Sequence, residues 1–405
     1  MRFNPFRPNS IVSPEMFHGR TEELSFIQQS LFQTRHGNPQ HFLIEGERGL
    51  GKSSLFLMVH QFASGQRPLA DGSRLNFLVL SVELDTTQAF FDILRCLAVD
   101  FQRALSEKEQ AKTMAREVWD FLSNWEILGV RYHKQDEALV QPYEVLNELV
   151  SRFAQVIART KDTFDGILIL IDEADRPGVK ASLGELIKLL TEKLTKRGCD
   201  RLVIGMTGQP GLIEKLKASH ESSSRIFTTL SLKPLHEDEN KAVVESGLNA
   251  ANQINPDLTS ITPEALKMIA QLSEGYPHFL QEFAYKAFEA DNDWVISELD
   301  VRDGAFGQNG AMNQLGHKYF NDLYFVQIGS DEYRRVLQAM AHYSDDWVDR
   351  DKIRAGITIK DTTLNNALQA LKNRGIIIPN PTVKGEFRLP TKSFAAWIKA
   401  FFMFN

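Results

Sequence analysis

The sequence predicts an α/β fold, a five-stranded parallel sheet wrapped by helices, followed by a helical lid segment and a C-terminal winged helix-turn-helix. Three observations predict it. Short apolar runs at 41–45, 75–84, 167–171, 202–206 and 226–232 alternate with helix-period stretches, the pattern of a parallel sheet covered on both faces. The first run opens directly into a glycine-rich turn, GERGLGKSS at 46–54, and an apolar helix. Beyond Pro234 such runs stop, and the chain closes on three amphipathic helices and two short strands.

Before the first strand, Pro8 and Pro14 keep the chain extended, and Thr21 can serve as N-cap to a helix that uses Leu24, Ile27 and Leu31. The run LNFLVLSVEL at 75–84 is a second strand. Segment 85–165 is far longer than a minimal crossover and reads as a helical insertion, with candidate helices at 88–105, 107–122 and 143–159. ILILI at 167–171 is the third strand, a helix at 181–196 follows it, and 202–206 is the fourth. Helices at 237–252 and 262–272 come next, the second with Thr262 as N-cap and Pro263 in its first turn. A further helix begins at Pro277 and turns Phe279, Leu280, Phe283, Ala284 and Ala287 to one face. Glycines punctuate 303–316, which reads as a connector. Helices at 331–343, 349–355 and 361–373, Gly375, and strands at 376–378 and 386–389 then make the winged helix, with FFMFN at 401–405 packed on it. The expected organisation is 1–40 as an N-terminal segment, 41–234 as the sheet domain, 235–300 as the lid, 301–330 as the connector and 331–405 as the winged helix.

Composition narrows the function classes. With 43% hydrophobic and 24% charged residues the chain is an ordinary globular one, and no apolar run approaches the ~20 residues of a membrane span. The start MRFNPFRPNS lacks an apolar leader core, so a cytoplasmic protein without membrane attachment is expected. Two cysteines, Cys96 and Cys199, are too few for a disulfide framework, and no histidine pair has metal-ligand spacing. The net charge of −6 argues against indiscriminate nucleic-acid coating, yet 351–405 carries nine Lys and Arg against three Asp and Glu. That is +6 in the last segment and −12 in the remainder, a hint of an acidic partner for the C-terminal end.

Gly46, Gly51, Lys52 and Ser53 fit the phosphate-loop spacing G-x-x-x-x-G-K-[ST]. A loop that wraps phosphate with successive backbone N–H groups leaves no room for side chains at its tightest points. Gly46, Glu47, Arg48, Gly49, Leu50, Gly51, Lys52, Ser53 and Ser54 are therefore candidate binders of the phosphates of ATP, with the following helix aiming its positive end at them. Lys52 would reach β- and γ-phosphate oxygens, and the Ser53 hydroxyl would ligate Mg²⁺. Asp172 and Glu173, at the end of a buried strand, supply what the loop lacks: Asp172 to hold the metal and Glu173 to orient or deprotonate a water.

In this order the motifs FHGR at 17–20, GERGLGKSS, ILILIDEAD, TGQP at 207–210, SSRIF at 223–227 and GYPHFL at 275–280 resemble the P-loop ATPases of the AAA+ superfamily and the related STAND class, especially the initiator-like and archaeal-type branch. The resemblance spans about 17–290, and a winged helix is a common companion. It implies that Gly19 and Arg20 lie near the adenine, and that Thr207 or Gln209 occupies the sensor position on the strand beside Asp172. Arg225 resembles an arginine finger offered to a neighbouring subunit, which implies a homo-oligomer. Where many such lids carry an arginine, this sequence has His278 behind Pro277, closer to STAND ATPases, which implies a weaker, pH-dependent phosphate contact and slow turnover. Two functions follow as expectations: an ATPase that engages duplex DNA through the winged helix, as in replication, transposition or mobile-element control, or a signalling or defence switch whose target is a protein partner.

Overall fold

The computed structural model describes residues 2–11, 16–118, 120, 142–343, 347–380 and 382–402. The chain divides into two compact units, one of residues 20–233 and one that joins 1–19 to 234–405.

In the first unit, α1 (Thr21–Arg35) leads to β1 (His41–Glu45), and α2 (Lys52–Ala63) to β2 (Phe77–Glu83). Next come α3 (Phe90–Ser106), α4 (Pro142–Thr160), β3 (Gly166–Asp172), α5 (Leu183–Lys196), β4 (Leu202–Gly208), α6 (Leu212–Ser219) and β5 (Phe227–Ser231). The strands form one sheet in the order β2-β3-β4-β1-β5, every pair parallel. Position in that order explains the runs read from sequence. All seven residues of the central β4 are buried, whereas the edge strand β2 exposes Ser81 and Glu83. The edge is blunted from α3, where the Asp100 carboxylate accepts the Ser81 N–H at 2.6 Å. Gly205 is glycine because β1 leans on it: a Cβ there would stand 2.4 Å from the Phe42 ring. In the long crossover, α3 and α4 pack through Phe101 and Phe153, ring centres 4.5 Å apart, and Cys96 is half-buried beside them. The far end of the helix expected at 107–122 lies outside the described residues.

The helix expected to be capped by Thr21 begins there instead, and Arg20 holds the cap position at φ +59 without a side-chain capping bond. Its guanidinium is occupied elsewhere, on the carbonyl of Leu50 at 3.2 Å.

His41 opens β1 and accepts the Ile204 N–H on Nδ1 at 3.0 Å, which fixes a neutral ring, and burial pushes its pKa down to about 4. In the unfolded chain it titrates near 6.5. Between those values only the unfolded state takes the proton, so stability falls as pH drops from 6.5 towards 4, by about 3 kcal/mol in all. Chemical denaturation at stepped pH should show a shallower decline for His41→Gln. Parallel profiles for the two proteins over that window would exclude His41 as the cause.

The second unit holds α7 (Glu237–Asn252), β6 (Ser260–Ile261), α8 (Pro263–Ser273), α9 (Pro277–Ala290), β7 (Val295–Ile296), α10 (Glu298–Phe306) and α11 (Ala311–Leu315). Thr262 caps α8 by accepting the Ala265 N–H, as the sequence predicts. Two-residue strands β6 and β7 pair in parallel within 235–300, where the sequence reading expected helices alone. The stretch 303–316 is mostly helical and continues into π-helical turns at Gly316–Phe320 and Asp322–Val326. Its glycines serve close packing: a Cβ on Gly304 would meet the Lys286 carbonyl at 2.5 Å, and one on Gly316 the Trp397 indole nitrogen at 2.2 Å.

The N-terminal strand of chain is pinned to these helices. Arg2 lies over the rings of Phe288 and Trp294, at 3.8 and 4.5 Å, and pairs with the fully buried Asp291 carboxylate at 2.6 Å. The chain ends in α12 (Asp331–His342), β8 (Val348–Asp349), α13 (Arg350–Ala355), α14 (Asp361–Asn373), β9 (Ile378–Pro379), β10 (Glu386–Arg388) and α15 (Lys392–Phe402). The strands form an antiparallel sheet in the order β8-β10-β9, completing a winged helix. Strand β8 and helix α15 were not anticipated. The Glu274 carboxylate caps α15, accepting the N–H groups of Lys392, at 2.7 Å, and Ser393. Phe401 and Phe402 pack on the core, and the last three residues of FFMFN lie outside the described residues, as does Pro381 of the wing loop and Pro14. Among the described residues no helix is long and apolar enough to cross a membrane.

Candidate active site

Strand order assembles the site. Because β4 lies between β1 and β3, the loop that leaves β1 and the acids that end β3 meet across the end of β4. Gly46 donates its N–H to the Gly208 carbonyl of β4 at 3.2 Å. Gly49 and Gly51 take φ of +91° and +85°, a region that costs a side chain but not glycine, and Gly51 caps α2 from that conformation. Lys52, the first residue of α2, is 8% exposed and curls back on the loop, donating to the carbonyls of Gly46 at 2.6 Å and Glu47 at 3.1 Å. Burial lowers its pKa, and the nearby carboxylates of Glu173, Asp172, Asp175 and Glu47 oppose that shift. Around it Leu50 is buried, Glu47 and Arg48 are exposed, and Ser54 follows Ser53 in the first turn of α2.

Asp172 is the hub. Ser53 donates to its Oδ2 at 2.8 Å, while the Thr207 hydroxyl and the Glu173 N–H, the latter at 2.9 Å, donate to its Oδ1. Thr207 is wholly buried. Glu173 turns the chain at φ +55°, and its carboxylate accepts from Arg176 at 2.9 Å. Asp175 fixes the neighbouring turn, accepting the Gln209 N–H at 3.0 Å on its carboxylate and the Lys215 ammonium on its carbonyl. Of the two sensor candidates, Thr207 therefore brings its side chain to Asp172, and Gln209 brings a backbone N–H to Asp175. Sequence reading missed Asp175, Arg176 and Lys215. The run DEAD contains the first as its last letter, but Lys215 lies on α6 and carries no motif.

A hydroxyl and a carboxylate oxygen 2.8 Å apart beside a phosphate loop are hard oxygen donors of the kind Mg²⁺ takes, so Ser53 and Asp172 fit that ion. Arg225 stands elsewhere in the same unit. It is exposed, at the end of the 3-10 turn Glu221–Ile226, and makes no hydrogen bond or ion pair among the described residues. Phe227 pairs with His41 and Ser231 with Glu45, so Arg225 sits at the amino ends of the strands and the loop at their carboxyl ends, roughly 15 Å of strand away. Gly19, Pro277 and His278 belong to the helical unit. There Gly19 takes φ +76°, Pro277 is the first residue of α9, and the His278 ring lies 5.2 Å from that of Tyr319.

No family model matches the chain. An uncharacterized HTH-type transcriptional regulator of Methanocaldococcus jannaschii is 23% identical over 332 residues, 80% of this chain and 76% of that protein. Among solved structures, the chain is similar to a Walker-type ATPase of Pyrococcus abyssi, with TM-score 0.55 and 17% identity over 98% of this chain and 99% of that one. It is also similar to the Aeropyrum pernix ORC2 protein, solved as ADPNP and ADP complexes, with TM-score 0.55 and 13% identity over 98% and 96%. The resemblance read from the sequence holds at the level of fold: a P-loop ATPase sheet followed by helices and a winged helix.

Proposed function

We propose that this P-loop ATPase fold binds ATP with Mg²⁺ and hydrolyses it as a switch that couples nucleotide state to duplex DNA through the winged helix. The observation that carries the reading is the cluster at the strand ends, where buried Lys52 is held on its own loop and Asp172 gathers Ser53 and Thr207. Among the described residues its ammonium bonds the loop carbonyls of Gly46 and Glu47, which phosphate oxygens would replace as stronger acceptors. A magnesium ion held by Ser53 and Asp172 would neutralise charge on the β- and γ-phosphates. Thr207 fixes the Asp172 carboxylate, and Glu173, on a turn pinned by its own N–H to Asp172, orients and deprotonates the attacking water. Arg225, too far from its own loop, completes the site of a neighbouring copy, so the active form is a homo-oligomer. The helices from Pro234 to about residue 300 are the candidate lid, and Gly19, Pro277 and His278 belong to that helical unit.

DNA is the favoured target because the winged helix carries the chain's positive charge, +6 in 351–405. Its helix α14 exposes Thr362, Asn365, Asn366, Gln369, Lys372 and Asn373, and Lys384 and Arg388 are exposed on the wing. Amides and lysines of this kind suit base edges and phosphates. The Methanocaldococcus relative, described as an HTH-type transcriptional regulator, agrees with that direction. Fluorescence anisotropy of full-length protein on a labelled duplex should give weak binding that ATP strengthens, with a salt slope of roughly −3 from three or four phosphate contacts. The charge reversals Lys384→Glu and Arg388→Glu should remove it. Binding that ignores those reversals, or no binding at low salt with ATP present, would assign the winged helix to a protein partner and the chain to a signalling or defence ATPase.

A further inference from the structure

In the winged helix, Arg350 opens α13 and is fixed from two sides. Its backbone N–H donates to the Gly385 carbonyl of the wing at 3.0 Å. Its guanidinium donates through Nε to Asn365 Oδ1 of α14 at 3.0 Å, through Nη2 to the Asp361 carboxylate at 3.4 Å and through Nη1 to that of Asp351 at 3.3 Å. A guanidinium carries donors only, so the carbonyl oxygen of Asn365 is the atom that must face it, and this fixes how the amide is turned. Asn365 Nδ2, on the other branch, makes no hydrogen bond among the described residues. Leu364, Ala367 and Leu371 take the buried side of α14, and Asn365 is exposed. With Gln369, Lys372 and Lys384 it lines a groove of about 530 Å³ between α14 and the wing.

We propose that Asn365 reads guanine in the major groove of bound duplex DNA, acting as a donor alone, and that Arg350 is the residue that positions it. The inference rests on the DNA reading above and adds the base preferred. An unconstrained asparagine suits adenine, whose N6 amino group donates to Oδ1 while N7 accepts from Nδ2. That pairing needs both branches of one amide side by side on the base. Here the charge-assisted bond from Arg350 keeps Oδ1 turned towards α13 and leaves the Nδ2 donors to the DNA. Guanine answers them with two acceptors, N7 and O6, whereas adenine sets its own amino group against an amide N–H. Lys372 and Lys384 on the same groove supply phosphate partners, so affinity and base preference fall on different residues.

The test is selection of duplexes from a randomised pool by the full-length protein with ATP at low salt, followed by anisotropy on guanine and adenine versions of the selected sequence. Wild type should prefer guanine to adenine about tenfold at one position. Asn365→Ala should lose that preference and keep the salt slope of wild type, because no phosphate contact goes with it. Arg350→Met, which removes the donor and retains an apolar stem, should move the same position from guanine to adenine. A role confined to folding would weaken binding without exchanging one base for the other. A wild-type preference for adenine at the position that Asn365→Ala alters overturns the assignment. Guanine retained in Arg350→Met, or binding with no base preference at all, overturns it too, and each of these leaves DNA binding standing. Absence of binding to any duplex at low salt with ATP removes the DNA reading and this one with it.

Discussion

Glu173→Gln is expected to bind ATP as the wild type does and to release phosphate at least a hundredfold more slowly. Among the described residues its carboxylate bonds Arg176, a partly exposed ion pair worth at most about 1 kcal/mol. Ground-state affinity therefore loses little when the carboxylate becomes an amide. The backbone turn at φ +55° and the N–H bond to Asp172 are untouched by the change, so the amide is held where the carboxylate was and lacks only basicity. Removing a general base costs about 10²–10⁴ in rate. Phosphate release under saturating ATP, with affinity measured separately, separates the two effects. Turnover within tenfold of wild type would place the base elsewhere.

The second large effect is expected at Arg225. An arginine that stabilises phosphoryl-transfer charge from a neighbouring copy is worth about 10³–10⁵ in rate. Arg225→Ala should therefore be nearly inactive while its own loop still binds ATP. Roughly 15 Å of strand separates Arg225 from its own loop, so no side-chain rotation brings it there. Mixing Arg225→Ala with Glu173→Gln should restore part of the activity, because each lacks a different half of a shared site. Wild-type specific activity should also rise with protein concentration. A mixture as inactive as its parts, together with concentration-independent wild-type activity, would assign Arg225 to the surface.

What was legible in the sequence was what local chemistry dictates. A loop that must wrap an anion needs Gly49 and Gly51 at positive φ, and a buried strand must be continuously apolar, so GERGLGKSS and ILILID announce themselves. Helix α7 falls on the residues expected, and Thr262 with Pro263 starts α8 as their chemistry requires. What was not legible depends on partners far along the chain. Arg2 reads as one more basic residue near a terminus, and only the fold brings it to Asp291, 289 residues away. The glycines at 304 and 316 resemble a linker because glycine is equally the residue of loose chain and of the closest packing, and Lys286 and Trp397 decide which. Strands β6 and β7 are two residues each, below any periodic signal, and α15 starts on a cap supplied by Glu274.

The central claim is that the loop at 46–54 holds the phosphates of ATP, and equilibrium titration of ATP against wild type and Lys52→Ala in the presence of Mg²⁺ tests it most directly. Lys52 is the buried cation of the site, and charge-assisted hydrogen bonds to two phosphate groups are lost with it. Affinity is expected to fall about a hundredfold or more in a variant whose unfolding temperature stays close to that of wild type. Equal affinity of the two proteins for ATP would contradict the account.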